Sequence, residues 1–268
     1  MHNSWITVEK GLPKLMDGGI PDSNANVLWV PPTGGLKTIY QLEISFAQIQ
    51  NRSGTTSPVG IGARIDRTRW RAGQITGSTT YTDDTTDAQD SGANDFPLET
   101  LTDNSGFLVA SVDEFNVIDL LIGTASNGGA AVRTLSYSGP GGWTGITNAL
   151  VMPVTAGNWA AAETLIWFYR PPDWTVMTVA LHGTGVPVGM KGIRVLSTTA
   201  PSTTAGVATS LSIAQAINAI EGLADNVIYS SPVGATGAHK FDCGADALVG
   251  IIGTANPQNL FLANVRCV

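Results

Sequence analysis

Between residues 119 and 197 short apolar segments alternate with glycine and proline turns, and this punctuation constrains the fold more than any other feature of the chain. Leu120-Leu121-Ile122 ends at Gly123, and Leu135-Ser136-Tyr137 runs into Gly139-Pro140-Gly141-Gly142-Trp143. Ile166-Trp167-Phe168-Tyr169 stops at Pro171-Pro172-Asp173-Trp174, and Ile193-Arg194-Val195-Leu196 follows Gly192. Segments this short, rich in β-branched and aromatic residues, suit strands, and clusters of Gly and Pro mark the turns between them. Each buried aromatic ring removes on the order of 150–250 Å² from water. A packed sheet with tryptophan at its corners is the expectation.

The chain has 268 residues, enough for one large β-domain with an appendage. Charged residues make up only 13% of it, which leaves little charge to keep a whole monomer surface soluble, so part of that surface is expected to meet protein. The net charge of -7 argues against nucleic acid as a partner, because phosphate neutralisation needs clustered Lys and Arg. The one basic cluster, Arg64, Arg67, Arg69 and Arg71, reads as a solvated or salt-bridged face. No apolar run approaches the roughly 18–20 residues that cross a bilayer as a helix, and residues 1–10 lack the pattern of a secretory signal. The expectation is a chain with no membrane partner that begins in a cytosol, with Cys243 and Cys267 as buried thiols.

Three regions follow from the punctuation. Residues 1–35, dense in Gly and Pro, read as an extended N-terminal arm whose Trp5, Leu12 and Trp29 would anchor it on a neighbouring subunit or on the domain's own flank. Residues 36–200 read as the β-domain, in which 38–49 and 59–65 would pair as a hairpin. Within it, residues 72–105 carry so many Thr, Asp, Asn and Gly that they read as one long exposed loop, with Asp83, Asp84, Asp87 and Asp90 projecting outward or toward a neighbour. Residues 201–268 read as a small α+β appendage. There Leu211, Ile213, Ile217, Ile220 and Leu223 fall on one helical face, and Ser212 with Gln215 forms a capping box.

The chemistry-bearing residues form no recognisable site. His2, His182 and His239 are far apart, and His239, Cys243 and Cys267 supply at most three of the four ligands of a structural zinc. The acidic residues at 83–95 recur about every three positions, without the alternate spacing and following glycine of a calcium loop. Neither a nucleophile elbow nor a phosphate-binding loop occurs, and the glycines at 139–142 and 183–185 read as turns. No catalytic residue, cofactor or metal is therefore expected. Trp143, Trp159, Trp167, Tyr169 and Trp174 could form a sugar-stacking platform, but rings in strands more often fill cores and interfaces. On that reading Trp167 and Tyr169 share one strand face, while Trp143 and Trp174 plug corners.

The spacing of Leu120 to Gly123, Tyr137 to Trp143, Pro171 to Trp174 and Gly192-Ile193-Arg194 resembles the jelly-roll-like domains of tailed-bacteriophage virion proteins, with Lys191 where those have an aromatic. The resemblance covers under a third of the chain. It implies an antiparallel jelly-roll-like β-sandwich with Trp143, Pro172, Trp174 and Arg194 at its corners, and no catalytic residues. It also implies a structural protein of the virion, assembled in the host cytoplasm, that decorates or cements the capsid. Its partners would be further copies of the chain, as a homotrimer, and the major capsid protein or another virion protein. The alternative it leaves is a tail or baseplate module that binds a glycan or receptor.

Overall fold

The computed structural model describes residues 5–6, 25–29, 42–51, 58–92, 95–127, 131–147, 149–151, 157–160, 163–216, 220–221, 227–230, 239–252 and 260–267. The chain divides into two compact units, one made of residues 1–66 and 214–268 and the other of residues 67–213. The first unit opens with β1 (Trp5–Ile6), β2 (Ala25–Trp29), β3 (Leu42–Asn51) and β4 (Pro58–Ile65). The second holds β5 (Trp70–Thr76), β6 (Thr80–Asp83), the short helix α1 (Thr85–Gln89), β7 (Phe96–Pro97), β8 (Ser105–Ser111) and β9 (Val117–Thr124). It continues through β10 (Val132–Gly139), β11 (Gly142–Gly145), β12 (Ala149–Val151), β13 (Glu163–Phe168), the helical turn α2 (Val179–His182), β14 (Lys191–Thr199) and β15 (Val207–Ala216), the last three residues of which belong to the first unit. The chain ends in the first unit with β16 (Ile220–Glu221), β17 (Val227–Ser230), β18 (His239–Lys240), β19 (Ala245–Ile252) and β20 (Leu260–Cys267).

The fold is mainly β, an antiparallel sandwich. In the second unit one sheet has six strands in the order β11-β10-β14-β8-β5-β6. The other is built on β12-β13-β9-β15, with β7 paired to β15. The β10–β11 hairpin turns on Pro140 and Gly141, because Gly139 pairs with Gly142, and Gly142 takes a φ of 116° that favours glycine. Strand β8 is buried along its whole length, so both faces of the six-stranded sheet are covered at its centre.

Alternation along β8 and its partners assigns those faces. Phe107 pairs with Val195 and Val109 with Ile193, and all four side chains lie on the inner face. Phe107 there packs on Phe96 and Trp159 at centroid distances of 6.1 and 6.4 Å. On the outer face Leu108 and Ala110 join Ile75, Tyr81, Met177, Val186 and Leu196 in a second apolar cluster. Gly106 permits the closeness of β8 and β14: a Cβ there would lie 1.9 Å from the Val195 carbonyl oxygen.

A buried ion pair crosses the interior of the sandwich. Arg133 of β10 donates to Glu99 from Nε at 3.0 Å and from Nη2 at 2.8 Å, and the two side chains are 1% and 0% exposed. Ser197 Oγ donates to the same carboxylate at 2.5 Å, while Arg133 Nη1 donates to the Gly157 carbonyl at 2.5 Å. The guanidinium also lies 4.4 Å from the centre of the Trp159 ring. Each charge has opposite charge and hydrogen bonds around it, the condition on which a buried pair can persist.

Four expectations need correction. The helix placed on residues 211–223 is instead strand over Val207–Ala216 and again at Ile220–Glu221. Leu211 and Ile213 fit either period, and the sheet decides: Ala214 pairs with Arg64, and the Gln215 side chain, expected to cap a helix, accepts a hydrogen bond from the Asp242 amide at 2.7 Å. The long loop at 72–105 resolves into most of β5, then β6, α1 and β7. β6 is an edge strand with only Tyr81 buried, too little apolar pattern to announce itself. Strands β3 and β4 do not pair as a hairpin: β3 pairs with β20, β17 and β18, whereas β4 pairs with β19, β15 and β16. Finally, β13 ends at Phe168, so Trp167 is fully buried while Tyr169 beyond the strand end is exposed.

In the first unit Trp5 stands opposite Arg266 in the β1–β20 pair and Trp29 opposite Leu248 in the β2–β19 pair. Both arm tryptophans thus lie on strands that pair within the chain. Leu12 lies outside the described residues. Three of the four arginines of the basic cluster face carboxylates: Arg64 with Asp246 at 2.7 Å, Arg69 with Asp113 at 2.5 Å and Arg71 with Asp83 at 3.9 Å. The Cys243 side chain is buried.

Candidate interaction surface

Three of the four stretches that carry the sequence pattern, at 137–143, 171–174 and 192–194, meet at the six-stranded sheet, while Leu120 to Gly123 lies on β9 of the other. Tyr137 of β10 donates its hydroxyl to Asp173 at 2.7 Å. Trp174, the residue after it, is buried against Phe115 and Phe168 at 5.1 and 6.2 Å and donates its indole N–H toward Ser138 Oγ at 3.1 Å and the Gly192 carbonyl at 3.2 Å. Ser138, itself fully buried, also receives the Gly192 amide at 2.9 Å and donates to the Thr175 carbonyl at 2.6 Å. One hydroxyl thus ties β10, β14 and the segment after Trp174 together. Pro172 is exposed in the turn between them.

From Trp174 to Met190 the chain lies as a strap across the outer face of the sheet. The Thr175 amide donates to the Ser138 carbonyl at 2.9 Å, Val176 bridges to Lys191, and the Met177 amide reaches the Met190 carbonyl at 2.7 Å. At the far side the Thr184 amide donates to the Thr79 carbonyl at 2.8 Å and its carbonyl accepts from the Tyr81 amide at 2.9 Å. Met177 and Val186 point inward into the cluster around Leu108. Burial, with the nearby charge of Asp83, raises the Tyr81 phenol well above its ordinary value, so it stays neutral.

Trp143 fastens the middle of the strap. Its indole N–H donates to the His182 carbonyl at 2.9 Å, the His182 ring meets it edge-on at 5.2 Å, and the Arg194 guanidinium lies over it at 4.6 Å. Arg194 also donates to the Ser78 carbonyl at 2.8 Å in the β5–β6 turn. Burial lowers its pKa to about 10, which leaves the guanidinium charged at neutral pH. The His182 side chain is buried and its Nδ1 accepts the Thr178 amide at 3.1 Å.

What the strap turns outward is apolar and uncharged. Val176, Val179, Leu181 and Val188 are each 47–63% exposed, and residues 174–190 contain no Asp, Glu, Lys or Arg. Charge of both signs gathers where the strap enters and leaves the sheet: Glu114 pairs with Lys191 and with Arg170, and Asp173 holds Tyr137. The sequence pattern led to the braces beneath this surface and missed the surface itself. Its signal was a run without ionisable side chains other than a buried histidine, flanked by charge.

The acidic residues lie elsewhere, on the edge of the same sheet. Asp83 ends β6, Asp84 precedes α1, Asp87 lies in its first turn and Asp90 follows it. Burial raises the Asp84 carboxyl to about 6, helped by a hydrogen bond with Asp87 and by the charges of Asp87, Asp95 and Asp83. Among the described residues no group of three or more His, Cys, Asp or Glu is arranged to hold a metal ion, and no helix is long and apolar enough to cross a membrane. No protein-family model matches the chain, and it matches neither a curated protein nor a solved structure.

Proposed function

We propose that this chain is a self-associating structural protein of a bacteriophage particle that decorates or cements the capsid, with a jelly-roll-like sandwich as its building block. The observation that carries the reading is how the aromatic residues are spent. Trp159, Trp167 and Trp174 are 1%, 0% and 5% exposed, and Trp143 is held between Arg194 and His182. These rings brace a rigid brick, and the surface they support is uncharged and apolar, as a face meant to be covered by protein would be. A glycan platform needs ring faces open to solvent, and of the five candidate rings only Tyr169 is substantially exposed.

Co-sedimentation of the full chain with capsids of the phage that encodes it tests the reading. Saturable binding in a fixed ratio to the capsid subunit is the expected result. A chain that ignores capsids, and whose tryptophan emission instead shifts on addition of host polysaccharide, would replace this reading with the receptor-binding one.

A further inference from the structure

We infer that the strap is the surface through which copies of this chain meet, packed around a rotation axis that passes through it. The inference rests on the self-associating reading above and assigns that association to one face. Close to such an axis a residue approaches its own counterpart in a neighbouring copy, so a charge there would meet its own kind, whereas residues farther out meet different ones. In a chain of net charge -7 the stretch from 174 to 190 meets that condition, having no acidic or basic side chain besides buried His182. Val176, Val179, Leu181 and Val188 supply the apolar centre. Beside it Arg170 and Lys191 are balanced by Glu114 and Asp173, so the flank carries no excess of either sign to repel a rotated copy.

Other occupants fit less well. An anionic lipid surface or a nucleic acid would call for basic residues on the face, and an acidic or basic protein partner for the opposite charge. The strap is also already ordered: the hydrogen bonds to Ser138, Thr79, Tyr81 and Trp143 hold its backbone on the sheet, so association need not freeze a loose loop.

Sedimentation velocity of the full chain from about 1 to about 500 μM tests this, a range chosen to span Kd values from μM to near mM. The doubly substituted Val179→Asp, Leu181→Asp chain should associate at least 100-fold more weakly than wild type, with unchanged near-UV circular dichroism. Val188→Asp, on a side chain 63% exposed in a glycine-flanked turn, serves as the gentler second variant and should weaken association in the same direction. Leu101→Asp, an exposed apolar residue outside the strap, should leave it unchanged. An oligomer that persists in folded Val188→Asp overturns the placement and leaves self-association standing. A wild-type monomer throughout the range overturns both, as does a monomer that instead co-floats with neutral phosphatidylcholine vesicles.

Discussion

Removing one member of the Glu99–Arg133 pair should be among the most damaging single changes available to the protein. Glu99→Ala leaves a guanidinium in the interior with only the Gly157 carbonyl, Ser126 Oγ and the Trp159 ring for company. Breaking a buried ion pair this way costs about 3–5 kcal/mol, and the orphaned Ser197 hydroxyl adds about 1 kcal/mol. The expected loss is therefore about 4–6 kcal/mol, a large part of the 5–15 kcal/mol that holds a typical domain folded. Arg133→Met should cost a comparable amount for the mirror-image reason. The double substitution Glu99→Leu, Arg133→Met removes both charges together, and apolar replacements of buried pairs are often neutral, so it should recover most of the loss. Urea unfolding followed by tryptophan emission measures all four proteins, and urea, being uncharged, does not screen the pair. Trp159, against the guanidinium, makes emission a local reporter. If each single change costs under about 1 kcal/mol, the value of a surface pair, and the two add in the double mutant, the interior network does not exist in solution and the register joining β10 to residue 99 is wrong.

Ser138→Ala should cost about 2–3 kcal/mol in the same assay, because it strands the Gly192 amide and weakens the Trp174 anchor. Gly106→Ala should cost about 3 kcal/mol or more, since its methyl would collide with the Val195 carbonyl in a sheet whose backbone cannot yield. Asp84 sets a pH dependence: a native pKa of about 6 against 3.8 means the folded state binds the extra proton between those values. Stability should therefore fall as pH rises from about 4 to about 6 and level off above that. Asp84→Asn should flatten this slope and raise the urea midpoint at pH 7.5 relative to wild type; an unchanged slope would show that Asp84 is not the titrating group.

Local chemistry told much of the fold in advance. Gly139-Pro140-Gly141-Gly142 dictates a tight turn, Pro171-Pro172 ends a strand, and the strands they bound, β10, β13 and β14, are found where the turns place them. The burial of Trp174 and Trp167 was legible too, because rings that large next to β-branched residues must leave water. β6 was hidden because an edge strand buries one residue in four and shows no alternation. The strap was hidden because it is not an element at all: its order comes from hydrogen bonds to residues far away in the chain, such as Ser138 and Thr79.

The sequence by itself determined that the chain is a β-protein, where the turns at 139–142 and 171–172 fall, and that Trp167 and Trp174 leave water, since those depend on backbone preferences and apolar area within a few neighbouring residues. Only the tertiary structure decided that residues 207–216 are strand, that Glu99 and Arg133 neutralise each other in the interior, and that an uncharged strap covers one face of the sheet. In each case the deciding partner is distant along the chain, and no local preference carries information about a hydrogen bond or a charge that arrives only when the chain has folded.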